Sequence, residues 1–271
     1  SLLNAQMQLP EFKSIYWWEW GHRQLGRFIG LVFAVGYIGL YAAGHIRGRR
    51  ALAFLGLGIL GGLQAFVGWI MVASGLKPGM TAVEPVRLML HLTLASLIYA
   101  LLITTATALK PRADSVKPVH AKMARVLLIL SLVQIALGAL VAGNHAGLIY
   151  NTWPMMDGHF LPEVVFSDWQ NKGAEAFFDG IAFVQFNHRV GAYILLAVAL
   201  LHAAQVSKDH PGTSARKRAL INIWLMVAQA VIGIATLVMV VPMHLALTHQ
   251  AFAMVVLGMT AAHAAACRSS R

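Results

Sequence analysis

Charged side chains are scarce in this chain. Asp, Glu, Lys and Arg make up 11% of its 271 residues, whereas apolar residues make up 58%. A soluble domain of this length cannot hide that much apolar surface, which excludes a water-soluble globular protein and indicates a polytopic membrane protein. The net charge of +11 would suggest nucleic-acid binding in a soluble chain. In a membrane protein it marks one side of the bilayer instead, so we expect no nucleic-acid partner.

Cysteine and a signal sequence are also lacking. Cys267 has no second cysteine with which to pair, so a disulfide within the chain is excluded. The first residues carry no cleavable signal pattern. They are polar and resemble the middle of a loop rather than a natural beginning.

Long apolar runs dominate the rest. Seven of them have the roughly 20 residues that a hydrocarbon layer of about 30 Å requires. They predict an all-α membrane bundle in contact with lipid, with spans at about 23–43, 51–73, 88–109, 123–143, 183–206, 219–241 and 246–266.

The connecting loops predict the orientation. One side of the membrane carries 14 of the 21 Lys and Arg, in the loops 44–50, 110–122 and 207–218, in Arg125 and in the C-terminal tail. The loop 144–182 on the other side is acidic. By the positive-inside rule the basic side is cytoplasmic, and histidines in its loops, such as His120, are expected to be solvated.

Four histidines lie at or just inside the outer ends of four spans. They are His22, His91, His188 and His249. All four of these spans run inward, so the four imidazoles are expected near the periplasmic face. Ionisable groups at such positions are costly unless they have a function.

An internal repeat relates two parts of the chain. His22-Arg23, Gln64-x-x-x-Gly68 and His91 are followed by His188-Arg189, Gln229-x-x-x-Gly233 and His249, with Gln134-x-x-x-Gly138 between them. The repeat predicts a tandem of two four-helix bundles, an N-terminal half at 1–120 and a C-terminal half at 121–271. The first helix of the N-terminal half is expected to be missing from this chain.

Two histidines on facing helices can bind a haem iron from both sides. Arg23 and Arg189 could pair with haem propionates at the polar edge of such a site. Zinc or copper is a weaker alternative, because those ions more often recruit cysteine or clustered carboxylates.

Glu19 distinguishes the two halves. It precedes His22 by three residues, whereas Gln185 holds the equivalent place before His188. A carboxylate beside one haem could accept a proton or stabilise a developing cation. The asymmetry predicts a reactive haem near Glu19 and an electron-transfer haem near Gln185.

Four stretches together resemble one family. EFKSIYWWEWGHRQLGRFIGL, LVAGNHAGLIYNTWPMMDG, VQFNHRVGAY and VPMHLALTHQ occur in this order. They resemble the haem A synthase family in its mitochondrial and alphaproteobacterial form, whose first helix is not matched here.

The resemblance implies an inner-membrane enzyme that oxidises a methyl group of haem O to the formyl group of haem A. It implies that His188 and His249 bind a resident haem b, that His22 and His91 face the substrate haem, and that Glu19 is the essential carboxylate. It also implies haem O synthase and cytochrome oxidase assembly factors as partners, and it leaves a homo-oligomer open. The external cysteine pairs of some bacterial members are absent.

Two alternatives to the enzyme stay open on the residues alone. One is a dihaem b-type electron carrier that does not modify haem. The other is a haem-handling membrane chaperone. Glu19 favours the enzyme, because a carrier has no evident need for a carboxylate in one half only.

Overall fold

The computed structural model describes residues 8–80, 82–109 and 114–269. In this part of the chain, seven helices are long and apolar enough to cross a membrane. The predicted all-α polytopic bundle is therefore confirmed. The helices are α1 (Leu9–Ala42), α2 (Gly48–Gly75), α3 (Pro85–Ala108), α4 (Pro118–Gly143), the short α5 (Glu163–Lys172) and α6 (Ala176–Asp179), and then α7 (Ile181–Asp209), α8 (Ser214–Val238) and α9 (Met243–Ala266).

Helix α1 begins well before the predicted start of the first span at residue 23. Pro10 lies in its first turn, where the missing N–H of proline costs nothing. The backbone N–H of Gln8 donates to Oε2 of Glu11 at 3.1 Å, which adds a cap. The helix thus extends before the predicted span, because these signals are polar and hydropathy does not register them. Glu19 and His22 consequently lie inside α1, ahead of the apolar run.

The chain divides into two compact units, one ending at Arg87 and the other beginning at Leu88. In the first unit α1 packs against α2. A Cβ at Gly58 would lie 2.5 Å from Cε1 of Phe33, so this glycine permits the close approach of the two helices. The hydroxyl of Tyr37 donates to the carbonyl of Ala51 at 3.3 Å.

The second unit contains a four-helix bundle of α4, α7, α8 and α9. Helix α4 contacts α7 and α9, and α8 contacts the same two helices, so α7 and α9 lie at opposite corners. Small residues form much of the buried core, including Ala124, Ala199, Ala203 and Ala261. They allow close helix approach where hydrophobic burial gives no driving force. The predicted half 121–271 spans these four helices.

A short parallel strand pair closes the basic end of this unit. Strand β1 (Asp114–Val116) pairs with β2 (Cys267–Ser269), with Asp114 opposite Cys267. Hydropathy gave no sign of it, because three-residue strands in a polar loop carry no detectable periodicity. Cys267 is buried, and this burial raises the pKa of its thiol above the usual range, although Arg218 nearby lowers it. The thiol is therefore protonated at neutral pH.

The same end of the bundle buries three histidines. His120, His202 and His263 are each at most 1% exposed. Nε2 of His202 lies 2.8 Å from Nε2 of His263, and Nε2 of His120 lies 2.8 Å from Oδ2 of Asp209. The expectation that His120 is solvated was therefore wrong, because α4 starts at Pro118 and carries His120 into the bundle.

The bond between His202 and His263 predicts a specific pattern of stability. His263→Leu leaves Nε2 of His202 buried without a partner, which costs about 1–3 kcal/mol. The double variant His202→Leu/His263→Leu removes both polar groups and is expected to unfold closer to the wild-type temperature than the single variant. Thermal unfolding of the purified protein in detergent measures this, with exposed His45→Leu as the control. A double variant that is less stable than the single variant would contradict the proposed pairing.

Candidate functional site

His188 on α7 and His249 on α9 lie in the bundle of the second unit. Their helices occupy opposite corners of this bundle, and both contact α4 and α8. Both residues are half-buried. The structure therefore brings together the two histidines that were predicted to bind one haem.

Gln134 on α4 holds His188. Its amide nitrogen Nε2 donates to the backbone carbonyl of His188 at 2.9 Å and lies 3.0 Å from Nδ1 of the ring. One turn further along α4, a Cβ at Gly138 would lie 3.1 Å from Cε1 of His188. The glycine therefore lets the imidazole lie against the backbone of α4 while the glutamine fixes one edge of the ring.

Gln229 on α8 holds His249 with the same geometry. Its Nε2 donates to the carbonyl of His249 at 2.9 Å and lies 3.1 Å from Nδ1, with Nε2 of the ring further away at 3.5 Å. A Cβ at Gly233 would lie 2.7 Å from Cε1 of His249. The repeated Gln-x-x-x-Gly pattern is thus a histidine holder that occurs twice in this bundle.

The sequence showed this pattern but gave no role to its members. Two residues four apart on a helix lie on one face, so the spacing could have suggested that both contact a common partner. Which histidine each pattern contacts depends on the order of helices around the bundle. Hydropathy does not contain that order.

The geometry fits a haem. Engaging Nδ1 leaves Nε2 as the ring nitrogen that can bind a metal. Within the described ranges, no group of three or more His, Cys, Asp or Glu is placed to hold a metal ion. Two histidines suffice for a haem, because its ring supplies the other four nitrogens. Oε1 of Gln134 and Oε1 of Gln229 are buried, and in the described part of the chain neither accepts a hydrogen bond. Each atom can therefore still accept one.

Arg189 ties the loop between α4 and α7 to α7. Its Nη2 donates to the carbonyl of Tyr150 at 3.0 Å, and its Nη1 lies 3.4 and 3.3 Å from the carbonyls of Pro154 and Met155. The sequence predicted this arginine as a partner of haem propionates. The observed bonds give it a further role, which is to hold the loop beside His188.

Gln185, the counterpart of Glu19, is a structural residue. It is 2% exposed. Its Nε2 donates to the carbonyl of Ala146 at 3.0 Å, and its Oε1 accepts from Nη2 of Arg189 at 3.0 Å. Both ends of the amide are used, so this position requires a donor as well as an acceptor.

Glu19 and Arg23 form an ion pair on α1 in the first unit. Oε2 of Glu19 lies 3.6 Å from Nη2 of Arg23, and the two side chains are 61% and 50% exposed. An exposed pair at this spacing adds less than about 1 kcal/mol of stability. Its value to the fold is therefore small, which leaves the carboxylate available for another role.

His22 lies on the same helix, one turn from Glu19, and is exposed. His91 lies on α3 beyond Leu88, in the second unit, and is half-buried. Each is thus described in its own unit. Their common contact with a substrate haem stays a prediction.

Comparisons with known proteins identify the family of this chain. A family described as cytochrome oxidase assembly protein matches residues 1–261. A protein of Methylobacterium sp. (strain 4-46) named "Heme A synthase" is 51% identical over 264 residues, covering 97% of this chain and 73% of that protein. Proteins of the same name from Methylobacterium nodulans and Brucella anthropi are 51% and 44% identical, over 100% and 96% of this chain and 75% and 72% of their own lengths. With half of its residues shared along nearly its whole length, the chain belongs to the COX15-CtaA family of cytochrome oxidase assembly proteins.

Proposed function

We propose that this chain has haem A synthase activity and converts haem O to haem A for cytochrome oxidase. It is a membrane oxidoreductase that oxidises a methyl group of haem O by successive hydroxylations to a diol, which loses water to give the formyl group. The observation that carries this conclusion is the identity of about half of all residues with proteins named for the activity, over almost the whole chain. The seven spans agree with a multi-pass protein of the bacterial inner membrane.

The resident cofactor is a haem b held by His188 and His249. The two histidine holders, with Nδ1 engaged in each, support this assignment. When bound, the haem supplies one-electron transfer. Arg189, which holds the loop 144–182 through the carbonyl of Tyr150, would pair with a propionate of this haem. The acidic loop and the positive-inside rule support a periplasmic position for this site.

The repeat and the family motifs assign the binding of the substrate haem O to His22 and Arg23 on α1 and to His91 on α3. Glu19 lies one helical turn from His22, where it accepts the proton that is released as the methyl carbon is oxidised. Arg23, 3.6 Å from Oε2, orients the carboxylate. General acid–base groups of this kind contribute about 10² to 10⁴ in rate.

The dihaem electron carrier is the alternative, and the contrast between Glu19 and Gln185 argues against it. Gln185 uses both ends of its amide in the fold, whereas among the described residues the carboxylate of Glu19 forms an ion pair that is exposed to solvent. A carrier would gain nothing from that carboxylate. Two partners follow from this function. Haem O synthase supplies the substrate, and cytochrome oxidase assembly factors receive the product. Both apply whether the protein acts as a monomer or as a homo-oligomer.

Replacing Glu19 tests the enzyme directly. We expect Glu19→Gln to lower haem A formation at least about 100-fold, because the amide cannot accept the proton. The measurement is chromatography of haems extracted from cells that express the protein beside a haem O source and make no haem A of their own. Glu163→Gln, on the external helix α5, is the matched control and should leave the product unchanged. Wild-type amounts of haem A from Glu19→Gln would refute the role of the carboxylate, and no haem A from the wild type would favour the carrier.

The two halves are expected to respond differently to loss of a histidine. His188→Ala or His249→Ala should abolish the low-spin haem absorbance of the purified protein, because each removes one axial ligand. His22→Ala should keep that absorbance and stop turnover. Optical spectra of purified protein and haem analysis of the same cells separate these effects. Equal bleaching by all three substitutions would contradict the division between cofactor and substrate sites.

A further inference from the structure

The two histidine holders lie on different helices, yet they share one geometry. Nε2 of the glutamine donates to the histidine carbonyl at 2.9 Å in both, and its distances to Nδ1 are 3.0 Å for His188 and 3.1 Å for His249. A glutamine that served only to fill space would not reproduce both distances on two helices.

We propose that Gln134 and Gln229 are positioning residues that set the electron donation of His188 and His249 to the resident haem. This inference rests on the proposed function, because it needs a haem held by these two histidines. Neither glutamine is a ligand in it. Each acts through the ring nitrogen that the iron does not use.

The first step of the argument is the orientation of the ring. A donor fixed to the backbone carbonyl of a histidine lies at a constant place relative to that residue, so its approach to Nδ1 defines the rotation of the imidazole. The glycine of each holder supports the opposite edge, with Cε1 3.1 Å from a Cβ built at Gly138 and 2.7 Å from one at Gly233. In the structure, the glutamine and the glycine thus fix the rotation of the ring.

The second step concerns the unused oxygen. Oε1 of Gln134 and Oε1 of Gln229 are buried, and neither has a hydrogen-bond partner in the described part of the chain. An unsatisfied buried acceptor costs about 1–3 kcal/mol. A fold that keeps two of them at equivalent places has a use for an acceptor there.

The third step is the tautomer. A histidine that binds iron through Nε2 carries its proton on Nδ1 and becomes a donor at that atom. The two ends of a glutamine amide have nearly the same shape, so a turn of the amide presents Oε1 to Nδ1. In that orientation Oε1 accepts from Nδ1, Nε2 moves to the buried place that Oε1 had occupied, and the histidine carbonyl keeps its bond within the helix. The turn therefore exchanges which amide atom lacks a protein partner, and it supplies the acceptor that the protonated Nδ1 requires.

The consequence is an effect on the haem potential. An acceptor at Nδ1 raises the basicity of the ligand and favours the oxidised iron. A neutral amide does so less than a carboxylate. Glutamine therefore gives both ligands the same intermediate donor strength.

The experiment compares two replacements at each position in the whole purified protein with its haem. Gln134→Met and Gln229→Met keep the side-chain volume and remove the acceptor, whereas Gln134→Glu and Gln229→Glu offer a stronger acceptor. Gln205→Met, at an exposed position of α7, is the control. The measurements are the haem content, the midpoint potential and the electron paramagnetic resonance g-values of the oxidised haem.

We expect near wild-type haem content, a higher midpoint potential with altered g-values in the Met variants, and a lower midpoint potential in the Glu variants. Wild-type potentials and g-values in the haem-containing variants would overturn the proposal, as would loss of haem from all four, because that result would make the glutamines purely structural. If only the Met variants lose haem, the midpoint potential of the Glu variants is the test. A value below that of the wild type supports the proposal, and a wild-type value overturns it. A wild-type protein without low-spin haem would instead refute the proposed function.

Discussion

The hydrogen bonds of imidazoles inside an apolar bundle are the constraint on which the second unit depends. A polar ring among lipid-facing helices is stable only when its nitrogens have partners, because water does not reach them. Gln134 and Gln229 supply those partners from neighbouring helices. Each glutamine is accompanied by a glycine one turn away, because a Cβ at Gly233 would collide with the ring of His249 and one at Gly138 would press on the ring of His188. The space that the histidine rings occupy thus accounts for the glycines of the site.

Helices α7 and α9 share one histidine spacing, but the two pairs of histidines that it produces differ in burial. Each carries two histidines fourteen residues apart, at 188 and 202 and at 249 and 263. The inner pair is sealed in the core and its Nε2 atoms lie 2.8 Å apart, which leaves no space for a ring between them. The outer pair is half-buried, and its glutamines engage the nitrogens on the other edge. Spacing alone therefore does not identify a ligand pair.

The sequence predicted what hydropathy and charge determine and missed what depends on polar contacts between helices. The seven spans were found because apolar length is a local property. The extension of α1 ahead of its span was not predicted, because Pro10 and Glu11 set the start of the helix without an apolar signal. The burial of His120 and the partner of Gln134 were missed because both depend on which helices become neighbours. The roles of the four histidines at the ends of the spans stay a prediction.

Gln185 explains why the carboxylate occurs in one half only. Its amide must donate to Ala146 and accept from Arg189 at the same time. An ionised carboxylate could accept from the arginine, but it would face the carbonyl of Ala146 with a second acceptor in a buried place. Glutamine therefore suits a position at which a loop is fastened to the bundle. Glu19 has no such duty in its described surroundings, since its ion pair with Arg23 is exposed to solvent. The two positions thus differ in how far the fold itself requires their side chains.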